Sequence, residues 1–248
     1  MIMLVHTPTN PRLTKKPTAQ TKRRSFPHVM PFRKVYQFKI VLQGIEPTIW
    51  RRIQVPDYYT FWDLHCAITD AFGWLDYHMH QFTICNPKGG KTELIGMPDK
   101  EGFEDDVKTL PGWKKKIARY FTLKNNTCDY LYDFGDGWEH TVVLESILPK
   151  EEKVIYPSCI AGENACPPED VGSTLGYQHF LKVMADPQHE EHDDLLAWVG
   201  GWFDPAWFDL SLIRFEDPAM RWNIAFLGWR VPKNIRKVQY HQLRKENP

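Results

Sequence analysis

The sequence predicts an α+β fold: a mixed or antiparallel sheet with a β-grasp-like core of hairpin, helix and strands, onto which C-terminal helices pack. Three observations predict it. Residues 35–55 and 126–148 alternate apolar and polar side chains with the period of two that half-buried strands require. Between them, residues 61–72 repeat their apolar positions at helical spacing. The second half of the chain then turns to helical patterns broken by Asp186-Pro187 and Gly200-Gly201.

Taken in order, residues 1–34 form a basic arm of Thr, Pro, Lys and Arg without periodicity, the composition of a disordered segment. Its lack of acids also matches an organelle transit peptide. Order begins at Val35, where Tyr36, Phe38, Ile40 and Leu42 alternate with Gln37, Lys39, Val41 and Gln43. Gly44 to Pro47 turns the chain, and Ile49, Arg51, Ile53 and Val55 return it as the second strand of a hairpin ending at Pro56. Thr60 and Asp63 have the spacing of a capping box, Phe61, Leu64, Ile68 and Phe72 fall on one helix face, and Gly73 fits the left-handed stop. His78 to Cys85 is a third strand. Residues 86–112 hold five Gly and three Pro and read as loop, while 114–120 fit a short helix or a strand.

The segment 126–148 is the second hairpin. Asp136-Gly137 predicts a two-residue type I′ turn, since both central positions need positive φ. That register sets Gly135 opposite Trp138, Phe134 opposite Glu139 and Asp133 opposite His140. A carboxylate there would raise the histidine pKa. Residues 156–170 read as a Pro/Gly loop, followed by helices at 173–185, 191–199 and 205–213 and a basic C-terminal extension, 213–248.

Composition is that of a globular protein, with 42% hydrophobic and 14% aromatic residues, so one sizeable core is expected in residues 35–212. No apolar run reaches the length of a membrane span, and no membrane contact is expected. An odd set of five cysteines spread along the chain is not a secreted disulfide framework and points to a reducing cytoplasm. Net charge is zero but unevenly placed. Residues 1–34 and 214–248 hold sixteen of the 31 basic residues and three of the 31 acids, leaving a body of formal charge −13. Such ends suit an anionic partner, nucleic acid included, or the acidic body itself.

Several groups invite chemistry. Asp133-Phe134-Gly135 spells the magnesium triplet of protein kinases, but no glycine-rich loop or His-Arg-Asp loop accompanies it. Asp133, Asp136, Glu139 and His140 have the donors for a divalent metal or for acid/base work, although turn geometry alone explains most of their identities. Cys159 and Cys166, with His140, are candidate zinc ligands; their spacing is wider than the usual ligand pair, and buried thiols or a redox-dependent disulfide are the alternatives. No cofactor beyond such a metal is expected. His78 and His80, on one face of a strand, and His189 and His192, on one face of a helix, each resemble half a metal site, with surface decoration the commoner reading. His65 fits a satisfied, half-buried position. Trp50, Arg51 and Arg52 are candidates for stacking on bases and clamping phosphate, or for an ordinary strand with arginines at its edge. Trp198, Trp202, Phe203, Trp207 and Phe208 are expected to pack the helical half onto the sheet.

Four ordered blocks resemble one family: Ile45 to Ile53; Leu64 to Ile68 continuing through Ala71-Phe-Gly-Trp74 and His78-Met-His-Gln-Phe82; Tyr130 to His140; and Cys159 to Asp170 with Gly176-Tyr177. They are similar to the plasmid open-reading-frame-three proteins first named from an Ri plasmid, often labelled insertion-element passenger or TnpR-like. The resemblance spans about residues 35–212 and implies association with plasmids and mobile elements, without an established activity. The TnpR label implies a resolvase, which needs a serine nucleophile within a catalytic domain; Ser25 lies in the basic arm, so that chemistry is not carried over. The expected function is a non-catalytic binding module contacting protein or nucleic acid. The alternative is a metal-dependent hydrolase or nuclease using Asp133, Asp136 and His140.

Overall fold

A computed structural model describes residues 31–98 and 108–227. The basic arm up to residue 30, the middle of the 86–112 loop and the tail from residue 228 lie outside the described residues.

One mixed sheet carries the fold, as the α+β expectation requires. Its strands are β1 (Lys34–Leu42), β2 (Trp50–Pro56), β3 (His80–Cys85), β4 (Thr92–Gly96), β5 (Leu110–Pro111), β6 (Thr127–Tyr132), β7 (Trp138–Pro149) and β8 (Ser158–Glu163). They lie in the order β5-β4-β3-β6-β7-β1-β2-β8. All neighbours are antiparallel except β4 and β5. The predicted first hairpin is β1–β2, with Phe38 opposite Ile53 and Ile40 opposite Arg51.

Helix α1 (Phe61–Phe72) crosses this sheet and starts where the sequence says. The Thr60 hydroxyl accepts from the Asp63 N–H, and the Asp63 carboxylate accepts from the Thr60 N–H at 2.8 Å. Gly73, at φ 88°, ends the helix in the left-handed region that a side chain would strain. We expect Thr60→Ala to cost about 1 kcal/mol in urea unfolding, because it removes the acceptor for one orphan N–H.

All twelve residues of α1 are buried, which one apolar face alone cannot explain. Phe61, Leu64, Ile68 and Phe72 pack on the sheet with Phe38, Ile40, Phe82, Tyr130 and Val142. The opposite face, Trp62 and Cys66, is covered by Trp222 and Phe226 of a helix α4 (Pro218–Leu227). The segment read as a basic extension thus contributes a packed helix. Helices α2 (Ser173–Ala185) and α3 (His192–Trp198) cover the far end, through Tyr177, Phe180 and Val199. Among the described residues no helix is long and apolar enough to cross a membrane.

Several expectations are corrected. The second hairpin is β6–β7, but its connection is five residues, Asp133 to Gly137, and not two. Asp133 takes φ 56°, its side chain accepts from the Gly135 N–H at 2.9 Å, and the Gly137 N–H donates to the Asp133 carbonyl at 2.7 Å. This aspartate-led turn consumes Asp133, so the register shifts. Tyr132 now faces Trp138, and His140 faces Tyr130 instead of Asp133. The loop 86–112 contains β4 and β5, and 156–170 contains β8, an edge strand paired to β2 alone. Of the two options for 114–120 the structure has the short helix, as 3-10 helix at Ile117–Arg119, preceded by another at Gly112–Lys114. Of the helix expected at 205–213 only a 3-10 turn, Leu210–Leu212, exists.

Candidate functional site

Where α1 ends, the chain runs through Trp74 into a cleft of about 270 Å³. The segment after β8 supplies a second wall, Ala165 to Asp170, and the stretch after α3 supplies Trp202, Phe203, Trp207 and Phe208. The planes of Trp202 and Trp207 stand at 90° with centroids 5.4 Å apart. The floor holds Arg51, only 2% exposed. Its Nε donates to the Ala71 carbonyl at 3.0 Å, Nη1 to the Trp50 and Glu163 carbonyls at 2.8 Å, and Nη2 to the Asn164 carbonyl at 2.8 Å. Its guanidinium lies 4.2 Å over Phe208 and 5.2 Å from Phe72. Gly162 permits this close approach: a Cβ there would sit 2.5 Å from Phe208 and 2.9 Å from Arg51.

The mouth is polar. His78 Nδ1 lies 3.5 Å from Asp133 Oδ2, and its Nε2 lies 3.2 Å from Asp170 Oδ1 and 3.5 Å from Glu169 Oε2. Glu169 accepts from the Leu75 N–H at 2.6 Å and the Tyr132 hydroxyl at 3.0 Å. Burial pushes its carboxyl above the usual range, against those two donors. Among the described residues, His78, Asp133 and Asp170 are the three that bring ligand atoms within 4.8 Å of one another.

The quartet read from the hairpin does not converge. Asp133 joins the mouth. Asp136 accepts from the Gly172 N–H at 3.0 Å, and Glu139 is exposed opposite Leu131. His140 is 1% exposed, its ring 5.1 Å from Phe72 and 5.3 Å from Trp74, with Nδ1 3.3 Å from the Tyr130 carbonyl. Burial lowers it to about 3, the reverse of the rise expected from an Asp133 partner.

Cys159, Cys166 and His140 do not form a three-ligand group among the described residues. The Cys159 thiol donates to the Ala161 carbonyl at 3.4 Å, and Cys166 lines the cleft; burial raises both thiols, with Arg51 opposing. The Trp50-Arg51-Arg52 run is spent internally. Trp50 Nε1 donates to Glu163 at 3.0 Å, Arg51 is buried, and Arg52 holds both oxygens of Glu145 at 2.6 and 2.8 Å.

His78 and His80 do not share a face, because β3 begins at His80 and leaves His78 in the preceding bend. His80 is buried and stacks on His65, with centroids 3.4 Å apart. His65 is satisfied as expected, though fully buried: Nδ1 meets the Tyr130 hydroxyl and Nε2 meets Asp76 Oδ1, each at 2.8 Å. These bonds close if the tyrosine donates to Nδ1 and Nε2–H donates to the carboxylate. Arg221 of α4 completes the chain, with Nη1 donating to Thr69 Oγ1 at 2.7 Å and Asp76 Oδ2 at 3.3 Å. Its Nη2 donates to Asp70 and to Glu216 at 2.8 Å. Burial alone would raise the Asp76 carboxyl, but His65 and Arg221 hold it well below the usual range.

Sequence reasoning missed the meeting of His78 with Glu169 and Asp170, although both segments stand in the blocks of the resemblance. It also assigned the late tryptophans wholly to packing, whereas Trp198 is 48% exposed at the cleft.

The family profile for plasmid pRiA4b ORF-3-like proteins matches residues 34–212. The uncharacterized protein y4hQ of Sinorhizobium fredii is 31% identical over 194 residues, covering 76% of this chain and 94% of that protein. The crystal structure of MM3350, a protein of unknown function from Methanosarcina mazei, is 46% identical with a TM-score of 0.69, covering 75% of this chain and all 100% of that one.

Proposed function

The chain belongs to the plasmid pRiA4b ORF-3-like family, and from that footing we propose that it is a binding module and not a catalyst, using the tryptophan-walled cleft to hold an organic group of a partner. The carrying observation is an aromatic-lined cleft with a small set of polar groups converging at its mouth, the usual make-up of a ligand site. A general base must reach the proton it takes, and His140 is sealed under Trp74. Glu169 already accepts two hydrogen bonds. Nucleic-acid contact, on this reading, belongs to the basic ends, because the carboxylates of the cleft mouth repel phosphate.

A neutral solvatochromic dye tests the reading. Its fluorescence should rise with the full-length protein, and Trp202→Ala should weaken binding about tenfold with an unchanged circular dichroism spectrum. No dye response in the parent protein sinks it.

A second reading rests on the His78, Asp133 and Asp170 donors, which suit a divalent cation and would give the hydrolase alternative a metal centre without His140. Stoichiometric calorimetric binding of Mn²⁺ or Zn²⁺ that disappears in His78→Ala would favour it over the first.

A further inference from the structure

We infer that the occupant of the cleft is a side-chain ammonium presented by a protein partner, an inference that rests on the binding-module reading. Four features point the same way. The cleft walls are aromatic, and within them Trp202 and Trp207 meet edge to face. A cation over such faces is held by the ring quadrupole, most strongly when desolvated. The protein already does this within its own floor, where the Arg51 guanidinium is buried 4.2 Å over Phe208.

Charge selects the same class. Three carboxylates line the cleft, Glu169, Asp170 and Asp204, against one cation, Arg51, whose donors are turned into backbone carbonyls. Asp133 adds a fourth carboxylate beside His78 at the mouth. A phosphate or carboxylate ligand would meet repulsion there, and a neutral ligand would draw no attraction from their charge.

Size and surroundings identify a macromolecule as the source. About 270 Å³ is below the roughly 300–1,000 Å³ of sites that enclose drug-sized ligands, so the space suits one side chain. Around it lie exposed apolar residues: Tyr77 is 74% exposed at the cleft, and Phe134, at the tip of the β6–β7 hairpin, is 54% exposed. Exposed aromatics beside a pocket are the anchors of protein interfaces.

Short alanine-based peptides carrying one central lysine, norleucine or glutamate test this by tryptophan fluorescence on the full chain at low salt. The lysine peptide should bind about tenfold tighter than its neutral norleucine isostere, and the glutamate peptide weakest. Asp170→Asn and Glu169→Gln should each weaken the lysine peptide severalfold, and by more than they weaken the norleucine peptide. Asp170 is exposed and a glutamine at 169 keeps an acceptor for Leu75, so both variants should fold. Equal binding of lysine and norleucine, or preference for glutamate, overturns the ammonium inference and leaves the binding module standing if the dye still binds. Failure of dye and peptides alike removes both.

Discussion

Arg221→Met will destabilise the protein by about 3–5 kcal/mol, the cost of removing one partner from a buried ion group. The guanidinium is buried against Asp70 and Asp76, with Glu216 closing the ring. Methionine fills much of the space but removes the guanidinium that these carboxylates share. The effect reaches further than α4. Asp70 also accepts from the Glu216 N–H at 2.9 Å, and Asp76 orients His65. Urea unfolding of parent and variant measures the loss. Arg52→Met is the control: its pair with Glu145 is about a quarter exposed on each side, and its loss should cost clearly less than that of the buried group. Equal, small losses for the two arginines would show that the ion group does not hold α4 in place.

Acidification gives the second large effect. His140 titrates at about 3 in the folded chain and near its ordinary 6.5 when unfolded. As pH falls below 6.5 the unfolded chain takes up a proton that the folded chain refuses. Stability from this group is therefore complete above pH 6.5 and declines by about 1.4 kcal/mol per pH unit, to a total of about 4–5 kcal/mol near pH 3. His80, also held well below its usual value by burial, acts in the same direction. The carboxyls of Asp76 and Glu145, lowered by their partners, withdraw stability only at more acid pH. Unfolding midpoints measured from pH 8 to 4 should fall steadily below 6.5. His140→Phe, which keeps a ring among Phe72, Trp74 and Tyr130, should flatten part of that slope. An unchanged slope would mean that His140 is not the group responsible.

Local signals in the sequence were readable where one short segment decides the outcome. Thr60, Asp63 and Gly73 set both ends of α1, and strict alternation placed β1 and β2. The β6–β7 hairpin was legible but its register was not, because the turn is led by Asp133 in the left-handed region and not by Asp136-Gly137. A start of β3 two residues later than expected separated His78 from His80. β8 was hidden because an edge strand paired on one side shows no burial alternation. The cleft mouth was out of reach for a different reason. Residues 78, 133 and 169–170 meet through the fold, and no periodicity links them. Arg221 belongs to a basic end for which the acidic body was one expected partner, but composition could not say which acids it would meet; the fold supplies Asp70 and Asp76.

The place of β1 in the sheet also dictates an order of events during synthesis. β1 is made first yet lies between β2 and β7, with Lys39 facing Arg52 on one side and Val143 on the other. The ribosome must add some hundred residues before that second neighbour exists, roughly 5–20 seconds at bacterial-to-eukaryotic elongation rates. Through that interval the apolar face of the first hairpin has α1 to cover it, but one whole edge of β1 is without its partner. Long-range pairings of this kind slow folding and leave strand edges open to other chains. The nascent protein is thus most vulnerable in the interval between completing α1 and completing β7.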